Sequence, residues 1–305
     1  MPPSHEDASE AEAQLSGVAR LGLIGHPIAH SRSPAMQQAA FDALDLPARY
    51  EQWDTPDEMA LAERVAALRQ PAMLGANVTI PWKEAVAPLL DDLDDSARRI
   101  AGAVNTIIRA EMEQGVRLTG HNTDAPALDR TLDDLGAWSD ARRMLVLGAG
   151  GAAQAALGVA HMRGVEPWLV ARRIETAWEA MAKLATRLPV PERWRDHVVA
   201  LDDPGALRAA LTESQILINA TPVGVGDIEA SPLPLDLLAA LPSDAAVLDL
   251  IYAPPETALV RAARARGLRA EGGLPMLLYQ GALAFTLWTG QPAPLDVMRR
   301  ALAIE

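Results

Sequence analysis

The fold is decided by the stretch Met144-Leu145-Val146-Leu147-Gly148-Ala149-Gly150-Gly151-Ala152-Ala153. Its apolar residues predict a buried strand, its glycines a tight turn, and the alanine-rich residues that follow a helix. The first glycine of such a turn sets its geometry, and the next lets the backbone approach a pyrophosphate bound by the amides of the helix N-terminus. We therefore predict a dinucleotide site at Gly148, Ala149, Gly150, Gly151 and Ala152. A tight strand–helix turn without a ligand is the alternative.

Short apolar runs alternate with amphipathic stretches on both sides of this turn. Before it, we predict strands at 20–28, 49–55 and 72–79 and helices at 34–44 and 57–69. From residue 144 onward, we predict strands at 144–147, 167–170, 216–220 and 246–251 and helices at 152–163 and 175–188. This order is typical of parallel sheets covered by helices, so we predict an α/β protein. The continuous apolar runs of the second series indicate strands buried on both faces.

The polar motifs of the chain end near Asp124, where we place the boundary between two domains. We assign residues 18–123 and 276–305 to a substrate-binding and catalytic domain with a mostly parallel sheet, to which the helical tail returns. Residues 124–275 are predicted to form a doubly wound, Rossmann-type dinucleotide-binding domain, with a cleft between the domains. The acidic and polar residues 1–17 are predicted to be a disordered extension.

The composition argues against several classes of protein. The chain has 305 residues, 50% of them hydrophobic and 22% charged, which suits a globular protein with two cores. A net charge of −13 argues against nucleic acid as a partner, and the absence of cysteine excludes disulfides and thiolate catalysis. The histidines show no metal-binding spacing, so we expect no metal. No apolar run is long enough to span a membrane and the N-terminus lacks signal-peptide character, so we expect a cytoplasmic protein.

The end of the next predicted strand bears on the choice of dinucleotide. NAD sites usually carry an acidic residue about 20 residues after the first glycine, where it binds a ribose hydroxyl. Here that window contains Arg172 and Arg173 and no acid. Arginines pair with a 2′-phosphate that a carboxylate would repel, so we predict NADP. Glu175 lies close enough to keep NAD open, and arginines that only end a strand in solvent are the alternative.

Polar residues follow apolar strands at several places in the N-terminal half. Ser31 and Ser33 precede the helix opened by Pro34, where Ser33 is also a candidate helix N-cap. Asn77 and Thr79 end a strand at the carboxyl edge, where ligands collect in open α/β sheets. Further polar or charged groups follow downstream, namely Lys83, Asn105, Asn122 and Asp124. Together these groups predict a site for a small ligand rich in hydroxyls.

The chain resembles the shikimate dehydrogenase family over nearly everything after Gly17. His30-Ser31-Arg32-Ser33-Pro34 resembles the family's substrate-carboxylate loop, and Asn77-Val78-Thr79-Ile80-Pro81-Trp82-Lys83 resembles its catalytic-lysine signature. Gly120-His121-Asn122-Thr123-Asp124 is similar to its catalytic-aspartate motif. The remaining matches are Asn219-Ala220-Thr221-Pro222-Val223-Gly224, Asp249-Leu250-Ile251-Tyr252 and Met276-Leu277-Leu278-Tyr279-Gln280-Gly281.

The resemblance implies an NADP-dependent oxidoreductase that reversibly reduces 3-dehydroshikimate to shikimate in chorismate and aromatic amino-acid biosynthesis. It implies catalysis by Lys83, which donates the proton, and by Asp124, which orients the alcohol. It implies a substrate-binding set of Ser31, Ser33, Asn77, Thr79, Asn105, Tyr252 and Gln280. It implies additional cofactor contacts from Thr221, Leu250, Gly273 and Met276. We expect a monomer or a homodimer that binds a small-molecule substrate.

Two alternatives remain beside this interpretation. A quinate/shikimate dehydrogenase that uses NAD or NADP would carry the same pair of catalytic residues. A nucleotide-binding regulator would keep the fold without turnover. Against it stands the joint presence of Lys83, Asp124, Asn105 and Gln280. A panel of substrates and cofactors separates the two enzymes from each other and from the regulator.

Overall fold

The computed structural model describes residues 17–304 of the chain. Contacts divide the described residues into two compact units, the first made of residues 17–94, 104–121 and 281–304. The second unit is made of residues 95–103 and 122–280. The domain boundaries inferred from the sequence stay a prediction. Except for Gly17, the predicted disordered extension lies outside the described residues.

The first unit is built on one mixed sheet. Its strands are β1 (Ala19–Gly25), β2 (Ala48–Asp54), β3 (Met73–Val78), β4 (Asp92–Leu93), β5 (Thr106–Met112) and β6 (Gly115–His121). Their order across the sheet is β2-β1-β3-β5-β6-β4. The pairings β1–β2, β1–β3 and β4–β6 are parallel, whereas β5 runs antiparallel to both β3 and β6. The sheet is therefore parallel over most of its pairings.

The helices of both units follow one another along the chain. They are α1 (Ser33–Ala43), α2 (Glu58–Ala67), α3 (Asp124–Asp134), α4 (Gly151–Arg163), α5 (Ile174–Arg187), α6 (Pro204–Thr212), α7 (Ala258–Ala265), α8 (Leu274–Thr289) and α9 (Leu295–Ala301). In the first unit, α1 packs against the C-terminal part of α8 through Phe41 and Phe285. Both rings are fully buried, with centroids 4.9 Å apart. This contact fixes the position of α1, the helix that follows the serine loop, by which we mean residues 30–33.

The second unit is built on a sheet in which every pairing is parallel. Its strands are β7 (Arg143–Leu147), β8 (Glu166–Ala171), β9 (Val198–Ala200), β10 (Ile216–Asn219), β11 (Ala246–Asp249) and β12 (Arg269–Glu271). Their order is β12-β11-β10-β7-β8-β9, which is the order of a doubly wound Rossmann sheet. The direction in which successive strands are added reverses at β7, and the glycine turn at residues 148–151 follows this strand.

Both faces of this second sheet are buried, as its continuous apolar runs predict. Val146 and Ile218 pack into one hydrophobic cluster, whereas their neighbours Leu145 and Leu217 pack into another. Successive side chains of a strand point to opposite faces, so the two clusters are the layers that cover the sheet. Burial of one such side chain contributes about 1.5–3 kcal/mol to folding, so these layers hold the strand ends in place.

The β5–β6 hairpin is the main element that the sequence prediction missed. The outer end of β5, residues 110–112, is exposed and includes Glu111, so it lacks the apolar alternation by which a strand is recognised. Its inner end, Thr106–Ile107, is buried and pairs with β3. The hairpin therefore joins the sheet through the residues nearest the predicted site.

Candidate active site

The glycine turn between β7 and α4 has no room for a larger residue at its first position. Gly148 has φ +107°, and a Cβ there would lie 2.9 Å from the Ala220 carbonyl oxygen. Its N–H donates to the Val170 carbonyl at 2.8 Å. Only glycine adopts this φ without strain and has no Cβ to clash with the Ala220 carbonyl. The turn is therefore set by backbone packing against the two neighbouring strands.

The second half of the turn is open. A Cβ on Gly150 would meet no atom within 4 Å, and this residue precedes α4 without any side-chain cap. The first amides of α4 (Gly151–Arg163) therefore have no protein side chain as an acceptor at the cap position. Such amides, together with the helix dipole, bind anions.

Arg172 and Arg173 come directly after β8, the strand next to the glycine turn, and both are exposed. Arg173 occupies the position before α5, where no side chain caps the helix. Glu175 lies in the first turn of α5, where a carboxylate is favoured by the helix dipole. A structural role at the helix start therefore accounts for Glu175, whereas nothing in the fold requires two arginines here.

A buried polar network holds the loops after β10 and β11. Asn219 Oδ1 accepts from the backbone N–H of Thr221 at 3.0 Å and from its hydroxyl at 2.7 Å. Asn219 Nδ2 donates to Asp249 Oδ1 at 2.9 Å, and the other Asp249 oxygen accepts from the Thr257 hydroxyl at 2.7 Å. Burial raises the pKa of Asp249, although these hydrogen bonds oppose the shift. Sequence reasoning quoted Asn219 and Asp249 only as parts of motifs and missed this role.

The loop after β11 packs closely against the start of α8. A Cβ on Gly273 would lie 2.3 Å from the Leu250 carbonyl oxygen, and the Gly273 N–H donates to the Ile251 carbonyl at 2.9 Å. Met276 is 9% exposed in the first turn of α8, and Tyr252 is half-buried in the preceding loop. Leu250 and Gly273, both predicted to contact the cofactor, are thus brought together.

The serine loop lies between β1 and α1 in the first unit. The Ser31 hydroxyl accepts a hydrogen bond from the Ser33 N–H at 3.3 Å. Ser33 is buried and is the first residue of α1, while Arg32 occupies the cap position. The cap residue is Arg32, whose side chain makes no cap hydrogen bond, so the alternative in which Ser33 is the N-cap is wrong. The Arg32 guanidinium instead anchors the loop by donating to the Leu302 carbonyl at 3.0 Å.

Asn77 lies within β3 and Thr79 directly follows this strand. Asn77 is 4% exposed, and its Nδ2 donates to the Asn105 carbonyl at 3.1 Å. Thr79 is half-buried, and its N–H donates to the Ile24 carbonyl at 2.8 Å. The structure therefore brings Asn77 and Asn105 into direct contact, as expected if they serve one site.

Lys83 lies in a helical turn that is anchored on both sides. The Trp82 indole N–H donates to the Thr55 carbonyl at 2.7 Å, and the Val104 N–H donates to the Lys83 carbonyl at 2.7 Å. Trp82 is 8% exposed and Lys83 is half-buried. The second bond fixes the lysine backbone beside Asn105.

Asp124 is the first residue of α3 in the second unit and is 7% exposed. Its N–H donates to Asn122 Oδ1 at 3.0 Å, as does the Ala125 N–H at 3.1 Å. Asn122 Nδ2 donates to the Ala103 carbonyl at 2.8 Å. The helix dipole favours a carboxylate at this position. Asn122 therefore holds Asp124, a role that sequence reasoning had not assigned.

Gln280 is half-buried on α8, and its Nε2 donates to the Leu277 carbonyl of the same helix at 2.9 Å. Within residues 17–304, no group of three or more His, Cys, Asp or Glu side chains could hold a metal ion. The same residues contain no helix long and apolar enough to cross a membrane.

A Rossmann sheet with an uncapped glycine turn and a second α/β unit with a buried polar cluster are the components of a two-domain nicotinamide-dependent oxidoreductase. Residues 23–107 match the model of the shikimate dehydrogenase substrate binding domain. Residues 273–303 match the model of the shikimate 5′-dehydrogenase C-terminal domain.

Known proteins agree with these matches over nearly the whole chain. The NADP(+) shikimate dehydrogenase of Symbiobacterium thermophilum is 41% identical over 92% of both chains. The solved shikimate 5-dehydrogenase of Thermus thermophilus, in complex with NADP(H) and shikimate, is 39% identical, with a TM-score of 0.78, 94% of this chain covered and 99% of that one. A solved quinate dehydrogenase of Corynebacterium glutamicum, in complex with NAD, is 29% identical, with a TM-score of 0.80, 94% of this chain covered and 99% of that one.

The chain belongs to the shikimate dehydrogenase family. This membership confirms the resemblance seen in the sequence and the predicted two-domain α/β fold class. It also confirms the prediction of an NADP-dependent oxidoreductase that acts on a CH–OH group.

Proposed function

We propose that the protein catalyses the reversible reduction of 3-dehydroshikimate to shikimate with NADPH, in chorismate and aromatic amino-acid biosynthesis. The observation that carries the proposal is the hydrogen bond from the Val104 N–H to the Lys83 carbonyl. It places the backbone of Lys83 against Val104, the residue before the buried Asn105, in the unit matched by the substrate-binding model. This arrangement suits a ligand with one carbonyl to be protonated and hydroxyls to be recognised.

The composition of the chain supports Lys83 as the proton donor. Only two of its 27 basic side chains are lysines, Lys83 and Lys183, and the others are arginines. Arginine stays protonated in proteins, whereas a lysine ammonium can give up a proton. A chain that otherwise uses arginine and keeps a lysine here is consistent with proton transfer at Nζ.

Asp124 and the polar side chains divide the remaining work in this proposal. Asp124 accepts the hydrogen bond of the reacting hydroxyl, and Lys83 donates the proton. Ser31 and Ser33 bind the substrate carboxylate. Ring hydroxyls are bound by four further polar side chains, Thr79, Asn105, Tyr252 and Gln280. Asn77 contributes indirectly, through its contact with Asn105.

The residues of the second unit fit NADP. The open backbone at Gly150 and the uncapped amides of α4 provide a place for a pyrophosphate. The wall of this cofactor site is formed by Gly148, Ala149, Gly151, Ala152, Thr221, Leu250, Gly273 and Met276. Arg172 and Arg173 pair with the 2′-phosphate. When bound, the cofactor supplies the hydride, while the chain supplies position, the proton and the exclusion of water.

The second candidate function is that of a quinate/shikimate dehydrogenase that uses NAD or NADP. It is favoured by the similarity to the quinate dehydrogenase solved with NAD and by the acidic Glu175 near the arginines. Both enzymes would use the same lysine and aspartate. They differ in the substrate and the cofactor that give turnover.

The test is the initial rate of nicotinamide absorbance change with purified protein. Shikimate and quinate are each combined with NADP⁺ and with NAD⁺, and Lys83→Ala protein serves as the blank. Turnover confined to shikimate with NADP⁺ is the expected result. Comparable turnover of quinate, or a preference for NAD⁺, would replace the first candidate by the second. The cytoplasmic location and the monomeric or dimeric state stay predictions.

A further inference from the structure

The loop that follows β10 lies beside the glycine turn that follows β7. The two strands are parallel neighbours with Asn219 opposite Leu147, so the loop and the turn leave the sheet side by side. A Cβ on Gly148 would lie 2.9 Å from the Ala220 carbonyl oxygen and 3.2 Å from the methyl carbon of Thr221. In a doubly wound sheet, ligands bind in the crevice at this point, where the strand order reverses. The Thr221 methyl group therefore packs against the turn at the predicted dinucleotide site.

Backbone groups at both ends fix the orientation of the Asn219 amide. Its Oδ1 accepts from the Thr221 N–H at 3.0 Å, and its Nδ2 donates to the Val223 carbonyl at 3.3 Å. A backbone N–H only donates and a carbonyl oxygen only accepts, so the amide cannot be turned over without loss of both hydrogen bonds. Asn219 is fully buried, so bulk water does not replace either partner.

The proton of the Thr221 hydroxyl is therefore committed to the protein. The hydroxyl lies 2.7 Å from Asn219 Oδ1, which can only accept, so Thr221 is the donor. The same hydroxyl oxygen accepts from the Val223 N–H at 3.2 Å. A hydroxyl carries one proton, and this one is used within the loop. Because the oxygen is held on this side, the methyl group is the branch of Thr221 that meets the turn.

We propose that Thr221 contacts the dinucleotide through its methyl group, and that Asn219 is the positioning residue that holds the Thr221 hydroxyl away from the cofactor. The contact is then apolar and involves a carbon-bearing face of the dinucleotide rather than a phosphate or a hydroxyl. The inference rests on the proposed function, in which the turn at Gly148–Gly151 binds NADP. The cofactor site then presents an apolar group where the sequence offers a hydroxyl.

The alternative is a Thr221 hydroxyl that donates to the cofactor. That contact would take the proton away from Asn219 Oδ1, which would keep only its hydrogen bond from the Thr221 N–H. Loss of a partner at a buried acceptor costs free energy, so this contact is disfavoured. The two alternatives predict opposite effects for substitutions that change only one branch of the Thr221 side chain.

The test compares two variants of Thr221 by two measurements that need no turnover. Kd for NADP⁺ is measured by titration calorimetry without substrate, and the Tm is measured on the cofactor-free protein. Thr221→Ser keeps the hydroxyl but removes the methyl group. It is expected to keep the Tm and to raise Kd about fourfold, which is the effect of losing one buried methyl contact. An unchanged Kd in Thr221→Ser would overturn the inference.

Thr221→Val keeps a methyl group at the turn but removes the hydroxyl. It is expected to lower the Tm, because Asn219 Oδ1 and the Val223 N–H each lose a partner, and to leave Kd for NADP⁺ nearly unchanged. A larger rise of Kd in Thr221→Val than in Thr221→Ser would assign the contact to the hydroxyl and overturn the inference. Thr221→Ser decides alone if Thr221→Val does not fold.

Thr257→Val is the matched control. Thr257 is 1% exposed and its hydroxyl donates to Asp249 Oδ2 at 2.7 Å, so this variant removes a hydroxyl from the same network. It is expected to lower the Tm and to leave Kd for NADP⁺ unchanged. A rise of Kd equal to that of Thr221→Ser would mean that Kd reports support of the loops rather than a methyl contact, and it would overturn the inference.

Asn219→Ala tests the positioning residue. It leaves the Thr221 hydroxyl only the longer hydrogen bond from the Val223 N–H, so the side chain can turn and Kd for NADP⁺ is expected to rise about fourfold. In the Thr221→Ser background there is no methyl group to misplace, so Asn219→Ala is expected to raise Kd no further. A rise by the same factor in both backgrounds would overturn the positioning role. If Asn219→Ala does not fold, an unchanged Tm in Thr221→Val would overturn it instead.

Titrations of the wild-type protein distinguish failure of the inference from failure of the proposed function. If the wild-type protein binds NADP⁺ and the Thr221 variants do not differ in Kd, only the inference falls. If the wild-type protein binds neither NADP⁺ nor NAD⁺, the proposed function falls and the inference falls with it.

Discussion

The side-chain oxygen of Asn122 accepts a hydrogen bond from the backbone N–H of Asp124 at 3.0 Å. The Asn122 side-chain NH₂ group donates to the Ala103 carbonyl at 2.8 Å, and the Asn122 backbone N–H donates to the Ser96 hydroxyl at 2.9 Å. Asn122 thus joins the start of α3 to residues 95–103 within the second unit. The proposed catalytic carboxylate is therefore held through its neighbour rather than by the helix alone.

Asn122→Ala is expected to lower both stability and turnover. It removes the acceptor at the start of α3 and the bond to Ala103, which together contribute about 1–2 kcal/mol to the free energy of unfolding. It also frees Asp124 to move, so kcat for shikimate oxidation is expected to fall by about tenfold or more. Urea denaturation and initial rates measure the two effects.

Asp57→Ala is the matched control for this variant. The Asp57 side chain caps α2 by accepting from the Ala60 N–H at 2.8 Å, in a part of the chain with no assigned catalytic role. We expect a loss of about 1 kcal/mol in stability with kcat unchanged. Equal losses of kcat in the two variants would mean that Asn122 acts only on stability.

Asp249→Asn is expected to change how stability depends on pH. Burial raises the folded-state pKa of Asp249, so the folded protein holds this proton more tightly than the unfolded chain. Its contribution to the free energy of unfolding therefore falls as pH rises from near 4, the ordinary value, through the folded-state pKa. The amide variant cannot ionise, so its stability is expected to fall less over this range. Parallel stability curves for the two proteins would refute this expectation.

A pair of alanine substitutions in the glycine turn separates folding from cofactor binding. Gly148→Ala places a Cβ at φ +107° and 2.9 Å from the Ala220 carbonyl, so it is expected to lower the Tm. Gly150→Ala places a Cβ in open space, so the Tm is expected to stay unchanged. That Cβ still obstructs the approach of a pyrophosphate, and KM for NADP⁺ is expected to rise about tenfold or more. Normal KM in Gly150→Ala would argue against a cofactor at this turn.

The double variant of Arg172→Ala and Arg173→Ala tests the choice of cofactor. Loss of the charge-assisted hydrogen bonds to a 2′-phosphate is expected to raise KM for NADP⁺ about 10- to 100-fold and to leave KM for NAD⁺ nearly unchanged. Arg266→Ala, another exposed arginine of the second unit, is the control and is expected to change neither. Equal changes in KM for both cofactors would mean that the two arginines are surface charges with no part in the choice of cofactor.

The sequence predicts most of this fold because its strands are apolar and buried. The runs at Leu145 and Leu217 are recognisable since both faces of the second sheet are covered, which requires apolar residues at successive positions. The outer part of the β5–β6 hairpin around Glu111 is exposed and therefore carries no such signal. The start of α1 was misplaced because the serine–proline sequence fits both a cap and a first turn, and only tertiary contacts decide between them.

The candidate site is predictable in its residue types but not in its internal contacts. The sequence motifs name Asn77, yet its side-chain oxygen accepts a hydrogen bond from Tyr50, which lies 27 residues earlier. Likewise, Asn219 and Asp249 are 30 residues apart and meet only because β10 and β11 are neighbours. Such hydrogen bonds arise from sheet topology, which motifs do not record.

The most direct test of the central claim is kcat for shikimate oxidation with NADP⁺ by Lys83→Ala protein. Loss of a general acid–base group is expected to lower kcat about 100- to 10,000-fold, with a smaller change in shikimate binding. Lys183→Ala changes the other lysine of the chain, exposed on α5, and is expected to keep the wild-type rate. A near-normal kcat for Lys83→Ala would contradict the assignment of Lys83 as the proton donor.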